Sequence, residues 1–271
     1  MLDILAHCHD CHGFTSGPRY AAELAGLMAG SLTGLYVAPP FPKTPPFGAS
    51  ATQMAEFTAF VQGEIDAAEH AQAAFGAWAA DFGIRRSHWQ VALGWLPDVL
   101  ASAANWNDIA VIEHRERIPR ECLSMISSAV LMGMPCIVVR ESPAPVSWDR
   151  IAIAWNGAPE AIRAVHSALP LLREAREVVV LASAPSAYAS TSCEPDFLIE
   201  SYLHHHGIGA DFMPLESQRP ADEAILLGSA TARADLLVMG AFGTTRPHRD
   251  DASGITSSVI QNAQLPILLR H

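Results

Sequence analysis

Apolar residues along this chain alternate between short continuous runs and longer stretches with helical spacing. The short runs have the length and the branched side chains of buried strands, and residues 109–112 and 136–139 are the clearest of them. Strands that alternate with helices predict right-handed crossovers and a mainly parallel sheet. The predicted strands are residues 2–6, 32–37, 89–93, 109–112 and 136–139 in the first half, and 151–155, 178–181, 211–215, 236–239 and 267–269 in the second.

The predicted helices place apolar residues three and four positions apart. Thr15 or Ser16, with Pro18 in the first turn, is the predicted N-cap of the first helix. Residues 52–82 predict one long helix whose face from Phe57 to Trp78 belongs to the core or contacts a partner helix, and the core is favoured. The remaining helices are predicted at residues 97–105, 159–175, 194–206, 220–231 and 256–262, with one more through residues 123–130.

The two halves of the chain repeat each other. Asp108 stands directly before the fourth strand of the first half, as Asp235 does in the second, and Pro135 and Pro266 each precede a last strand. Because the period is that of a whole domain, the pattern indicates an internal duplication and not a solenoid. We predict one domain at residues 1–141 and a second at residues 148–271, joined by a Pro-rich linker.

Composition narrows the class of protein. The chain has 271 residues, 50% hydrophobic and 17% charged, as expected of two well-packed globular domains. Its net charge of −11 argues against nucleic acid or an anionic membrane as a main partner. The N-terminus has no basic segment, and the odd count of five cysteines argues against a disulfide framework, so a cytoplasmic protein is expected.

A glycine-rich stretch follows the strand at residues 236–239. Gly240 and Gly243 precede a polar loop, and Ser253-Gly254 precede the next helix. This pattern is typical of a phosphate-binding loop, although the local pattern alone favours a simple tight turn. The first half carries residues 113–116 (Glu-His-Arg-Glu) at the matching place, so only the second half keeps a plausible phosphate loop.

Three segments of the second half resemble the universal stress protein family in its tandem form. They are residues 151–181, the MGAFG and SGIT segments around the glycine loop, and the closing LPILLRH. The resemblance implies two tandem Rossmann-like (HUP-type) α/β domains, each a five-stranded, mainly parallel sheet with helices on both faces. It also implies that the last strands of the two domains pair, so that the chain forms an internal pseudo-dimer; a homodimer stays open.

ATP-binding members of that family carry Gly-x-x-Gly, nine residues, then Gly-Ser or Gly-Thr, together with an aspartate after the first strand. Here serine and glycine stand at the last two positions, an asparagine replaces the aspartate, and Asp250-Asp251 lie in the loop beside Arg246, His248 and Arg249. Nucleotide binding therefore stays open at this point. The residues that the resemblance assigns to ATP are Asn156, Gly157, Gly240, Gly243, Ser253, Gly254 and Thr256.

A cluster of histidines and cysteines follows the first strand. His7, Cys8, His9, Cys11 and His12 have the chemistry of zinc or copper ligands. Neighbouring residues of a strand point to opposite faces, however, so four converging ligands are not expected, and neutral histidines lining a former pocket are favoured. The consecutive histidines 204–206 diverge around a helix end and predict no metal site.

The sequence contains no catalytic motif, so three hypotheses remain. The first is a stress-response module that binds an adenine nucleotide in its second domain, with an unknown protein partner and at most weak ATP hydrolysis. The second is a metal-binding or redox-sensing module that uses residues 7–12. The third is an interaction scaffold in which both sites are vestigial.

Overall fold

The computed structural model of this chain describes residues 2–14, 16–38, 50–103, 105–115, 119–141, 145–182, 198–243 and 254–271. Within them the fold is α/β, as predicted. Two compact units divide the chain, Met1–Glu113 and His114–His271. The predicted domain limits follow the sequence repeat and stay a prediction, since the compact units divide the chain at an earlier residue.

The first unit is a parallel sheet with helices between its strands. Its strands are β1 (Asp3–Cys8), β2 (Ser31–Ala38), β3 (Ser87–Leu93) and β4 (Ile109–His114). Its helices are α1 (Gly17–Leu27), α2 (Ala51–His70), α3 (Gln72–Ala80) and α4 (Leu96–Ala103). The strand order is β3-β2-β1-β4, and all three neighbouring pairs are parallel.

The second unit repeats this architecture after one additional helix and strand. Its elements are α5 (Pro119–Leu131), β5 (Cys136–Arg140), β6 (Arg150–Trp155), α6 (Pro159–Leu172), β7 (Glu177–Ala182), α7 (Ile199–His205), β8 (Asp211–Pro214), α8 (Ala221–Thr231), β9 (Leu236–Gly240), α9 (Ile255–Asn262) and β10 (Ile267–Arg270). The strand order is β5-β10-β9-β6-β7-β8. Strands β10, β9, β6, β7 and β8 are parallel.

The strand β5 is antiparallel to β10. Cys136 lies opposite Leu269, and Val138 lies opposite Ile267. This pairing confirms the prediction that the last strands of the two repeats run side by side. It also explains why the second compact unit includes β5, because α5 and β5 both contact β10.

The strands supply a large part of the buried core. All six residues of β4 are buried, and so are the first four residues of β9. A parallel strand is covered by helices on both faces, so such a strand is apolar without alternation, as the sequence pattern indicated. Among the described helices, none is both long and apolar enough to cross a membrane.

The long helix predicted at residues 52–82 is two helices. A capping box starts α2, since Ser50 Oγ accepts the amide of Gln53 and Gln53 Oε1 accepts the amide of Ser50. At Ala71 the amide bonds the carbonyl of Ala68, three residues back, and this tighter turn separates α2 from α3. The predicted core face is buried at Phe75 but exposed at Phe57, so the favoured assignment is correct for only part of it.

An aromatic cluster packs α3 against the strands β2 and β3. The rings of Phe14, Phe75 and Trp89 lie 5.0–5.6 Å apart, centroid to centroid. The Trp89 indole also donates to the carbonyl of Ala68 at 2.7 Å. Gly34 of β2 lies directly beneath: a Cβ atom there would come within 2.6 Å of Phe75 and 2.7 Å of Trp89. The rings therefore require a glycine at this position of the strand.

We expect Gly34→Ala to destabilise the first unit by about 1–3 kcal/mol, because the new methyl group overpacks the aromatic cluster. Gly63→Ala is the matched control, since nothing lies within 4 Å of a Cβ atom at that position of α2. The control should stabilise by about 0.5–1 kcal/mol, through helix propensity. Urea unfolding followed by circular dichroism measures both; equal effects of the two substitutions would contradict the packing account.

Candidate functional site

The turn after β9 is tied to the elements on either side of it. The amide of Ala241 donates to the carbonyl of Arg270 at 2.9 Å, which extends the pairing with β10. Phe242 has a left-handed backbone, with φ of 51°, and its amide donates to Thr256 Oγ1 at 3.2 Å. The structure therefore ties the turn that carries Gly243 to Thr256, through the residue before Gly243.

Gly240 lies at the end of β9, directly against the start of α6. A Cβ atom at residue 240 would lie 2.5 Å from the backbone nitrogen of Ala161 and 2.7 Å from the carbonyl carbon of Glu160. Real Cβ contacts are longer than this, and backbone atoms cannot move aside as a flexible side chain can. Gly240 is therefore required by the packing of a helix, a role that the sequence motif did not indicate.

Gly243 faces a buried carboxylate that the sequence analysis missed. A Cβ atom at residue 243 would lie 4.0 Å from Oε2 of Glu160. The Glu160 residue is only 5% exposed, and its Oε1 lies 3.7 Å from Nη2 of Arg163. An acid in the first turn of a helix is favoured by the helix dipole, so its position in the chain was a readable signal. Only the folded chain brings this acid beside the glycine turn.

Asn156 and Gly157 form the turn between β6 and α6. Asn156 Oδ1 accepts the amide of Ala158 at 3.0 Å, and Gly157 has φ of +74°, which favours glycine. Both residues are exposed. Asn156 thus shapes the start of α6, at the same edge of the sheet as the turn after β9.

The helix α9 begins at Gly254 without a side-chain cap. Gly254 has an extended backbone, and nothing lies within 4 Å of a Cβ atom placed on it. Its carbonyl accepts the amide of Ser258 at 3.0 Å. Thr256 is 8% exposed, and Ser257 is buried in the same turn. Ser253 and the loop residues Arg246, His248, Arg249, Asp250 and Asp251 lie outside the described residues.

His271 lies at this edge of the second unit and contacts the turn after β9. His271 Nδ1 lies 3.0 Å from the carbonyl of Ala241, and Arg163 Nε donates to the carbonyl of His271 at 2.9 Å. One arginine of α6 therefore contacts both the chain end and the Glu160 carboxylate. The acid Glu160 and the base Arg163 therefore both lie at the glycine turn.

Solved structures share this fold across almost the whole chain. A universal stress protein from Archaeoglobus fulgidus is similar at 15% identity, with a TM-score of 0.68, over 98% of this chain and 95% of that chain. The fold is that of universal stress proteins. A functionally unknown protein from Pseudomonas aeruginosa is similar at 12% identity, with a TM-score of 0.57, over 98% of this chain and 91% of that chain. No family model and no curated protein matches the sequence.

In the first unit of this universal-stress fold, a carboxylate stands at the position that corresponds to Gly240 of the second unit. Glu113 stands near the end of β4, where Gly240 stands in β9, and its Oε2 accepts the amide of Gly17 at 3.1 Å. A Cβ atom on Gly17 would lie 3.1 Å from Cβ of Glu113, so the helix and the strand are again in close contact. The amide at the start of α1 therefore already has a carboxylate partner, Glu113, inside the first unit.

Ser16 occupies the predicted N-cap position of α1, and Pro18 lies in the first turn, as predicted. Ser16 has a backbone φ of 51°, and its side chain makes no capping hydrogen bond, while Thr15 lies outside the described residues. The Glu113 carboxylate of a distant strand instead accepts the first amide of the helix, that of Gly17.

The histidine and cysteine cluster begins with the last two residues of β1, His7 and Cys8, and continues beyond the strand. The rings of His7 and His9 lie 4.5 Å apart, edge to face, as expected of residues that share one side of a strand. Cys11 Sγ lies 3.8 Å from His12 Nε2. In the part of the chain that the structure describes, no group of three or more histidine, cysteine or acidic residues could hold a metal ion. The geometry thus gives the metal hypothesis no support.

Burial also works against a redox role for this cluster. It raises the pKa of the Cys8 thiol far above its ordinary value, and the charge of Asp10 raises the pKa further. The pKa of Cys11 is raised by burial and by the nearby Glu64. Since the thiolate is the reactive form, both groups are poor nucleophiles at neutral pH.

We expect alkylation of Cys8 and Cys11 by iodoacetamide at neutral pH to be at least about tenfold slower in the native protein than in the urea-unfolded chain. The reason is the combination of burial and raised pKa. Peptide mapping by mass spectrometry separates these two thiols from the others. Fast modification of either thiol in the native protein would restore the redox hypothesis.

The close contact at Gly240 predicts the effect of a single methyl group. Gly240→Ala should destabilise the second unit by about 2 kcal/mol or more, because α6 must move away from β9. Gly254→Ala is the control, since its Cβ atom meets open space, and it should cost less than about 1 kcal/mol. Thermal unfolding measures both, and a neutral Gly240→Ala would refute the packing role.

Proposed function

We propose that this protein is a cytoplasmic stress-response module whose second unit binds an adenine nucleotide without catalysing its conversion. The phosphates would lie between the turn after β9 and the start of α9, with the nucleoside toward the β6–α6 turn. The residues that would contact the nucleotide are Asn156, Gly157, Gly243, Ser253, Gly254 and Thr256. Gly240 contributes indirectly, because it allows α6 to approach the site.

The observation that carries this proposal is that the glycine turn after β9 lies against the start of α9. The dipole of a helix favours a negative charge beside its first turn. The N-cap position of α9 is Gly254, which has no side chain to cap the helix. The hydrogen bond between Phe242 and Thr256 holds the glycine turn against this helix start. A phosphate group fits such an arrangement of amides and a hydroxyl.

The buried Glu160 carboxylate would tune the affinity of the site. It lies beside Gly243, and Arg163, at 3.7 Å, offsets part of its charge. A negative group near phosphates weakens their binding, although it acts little on an uncharged nucleoside. The proposed site therefore favours weak, reversible binding that follows the nucleotide concentration of the cell.

Calorimetry with ATP and with adenosine tests this proposal. We expect Glu160→Gln to tighten ATP binding by about tenfold, through the loss of one repulsive charge, and to leave adenosine binding unchanged. Glu174→Gln is the control, because Glu174 is an exposed acid beyond the other end of α6. An equal gain for adenosine would indicate a packing effect instead of a charge effect.

A second candidate function is an interaction scaffold with no ligand in either unit. The observation in its favour is that both units place a buried glutamate, Glu113 or Glu160, at the start of the helix that follows their first strand. If neither the protein nor its Glu160→Gln variant binds ATP at millimolar concentration, the nucleotide proposal fails and the scaffold remains.

A further inference from the structure

The strand β3 is the outer strand of the first unit. Its seven residues pair in register with β2, from Leu32 opposite Ser87 to Ala38 opposite Leu93. The carbonyl of Arg86 accepts the amide of Leu32, and the amide of Gly94 donates to the carbonyl of Ala38. Because successive residues of a strand direct their backbone groups to opposite sides, the even-numbered residues of β3 face β2. The amides and carbonyls of Ser87, Trp89, Val91 and Leu93 therefore face outward.

This outer edge lacks the features that usually prevent strand pairing. Natural edge strands carry lysine, proline or a bulge, or are very short. Within β3 there is no lysine, no proline and no acidic residue, and its pairing with β2 is continuous. The corresponding edge strand of the second unit, β8, has only four residues, begins with Asp211 and ends with Pro214. Among the residues that the structure describes, one edge is thus protected and the other is open.

A groove lies between β3 and the turn from α2 to α3. It has a volume of about 570 Å³ and runs along residues 87–90 of β3. Its other wall is the end of α2 and the start of α3, with Glu69, His70 and Gln72. The edge and the groove together can receive an extended segment, as in recognition by strand addition.

The edge is complementary to a second copy of itself. In an antiparallel pair centred on Gln90, Trp89 lies opposite Val91 and Ser87 opposite Leu93 of the second copy. These are the outward-facing residues, so their backbone groups can bond in pairs, and the aromatic ring meets a β-branched side chain. Arg85 and Trp95 flank the two ends of β3, and Trp95 begins the first turn of α4, so this arrangement would bring Arg85 of one copy near Trp95 of the second.

The arginine and the tryptophan give this pairing chemical complementarity. Trp95 is 70% exposed, and Leu93 before it is 48% exposed. A guanidinium group over an indole ring is a favourable cation–π contact, and Trp is the best ring for it. The twofold symmetry of an isologous dimer forms this contact twice, once at each end of the paired strands.

We propose that two copies of this chain associate through their β3 strands, antiparallel about Gln90, into a continuous sheet. The contact joins first units only and uses none of the residues assigned to the nucleotide. It therefore stands independently of the proposed nucleotide binding.

Sedimentation velocity of the full chain, over a range of concentrations and without nucleotide, tests this proposal. The wild-type protein should form a dimer. Val91→Pro should be monomeric, because proline removes an outward amide from the new ladder while the bonds to β2 stay intact. Val91→Thr keeps the amide and the branched side chain, so it should dimerise, and circular dichroism checks that both variants are folded.

The cation–π contact allows a second, independent test. Arg85→Ala and Trp95→Ala should each weaken dimerisation by about tenfold, and the double variant should be no weaker than either single variant, since each removes the same contact. Trp106→Ala is the control, because Trp106 is 81% exposed but lies outside the paired strands. If the wild-type protein is a monomer, the proposal is wrong, and the β3 edge would be available to a segment of another protein. A dimer unchanged by Val91→Pro would overturn it equally.

Discussion

The close contact between a helix start and a strand end is the constraint on which the second unit depends. Parallel strands of a Rossmann-like sheet end at one edge, and the helix after β6 begins at that same edge. Here α6 approaches β9 so closely that a Cβ atom at residue 240 would lie 2.5 Å from a backbone nitrogen. The chain meets this constraint with a glycine in the strand. In the first unit it does so with a glycine in the helix, Gly17, opposite Glu113.

The first unit has this glycine in the helix, and the second unit has it in the strand. This difference decides where the buried carboxylate of each unit lies. Where the glycine is in the helix, the strand carries the acid, and Glu113 caps the amide of Gly17. Where the glycine is in the strand, the acid is Glu160 of the helix, and α9 begins nearby at a glycine N-cap that has no side chain. In the first unit the carboxylate already binds the amide at this position. In the second unit Glu160 lies beside the glycine turn, and Asp222 accepts a hydrogen bond from Ser258 of α9. That difference is why the nucleotide is proposed for the second unit alone.

The elements of the fold could largely be predicted because they depend on local periodicity. Strands such as β4 and β9 are continuous apolar runs, and the predicted bounds agree with the structure within two residues. Local capping was less reliable. Ser50 and Gln53 form a capping box that the apolar spacing of the predicted helix did not reveal. Ser16 stands at the predicted N-cap position, but its side chain makes no capping hydrogen bond, and a distant carboxylate accepts the first amide of the helix. The break at Ala71 also escaped the pattern, because a one-residue change of hydrogen bonding hardly alters helical spacing.

The pairing of β5 with β10 was implied by the family resemblance. Sequence alone determined the α/β class, the internal duplication and the place of the glycine turn. Each of these follows from the period of side chains or from the likeness of one segment to another. Only the tertiary structure decided what the glycines and acids do. Gly240 meets a helix that begins about eighty residues earlier in the chain, and Glu113 binds an amide 96 residues away. Contacts between residues so far apart leave no periodic trace in a single sequence, so their roles emerge only when the chain is folded.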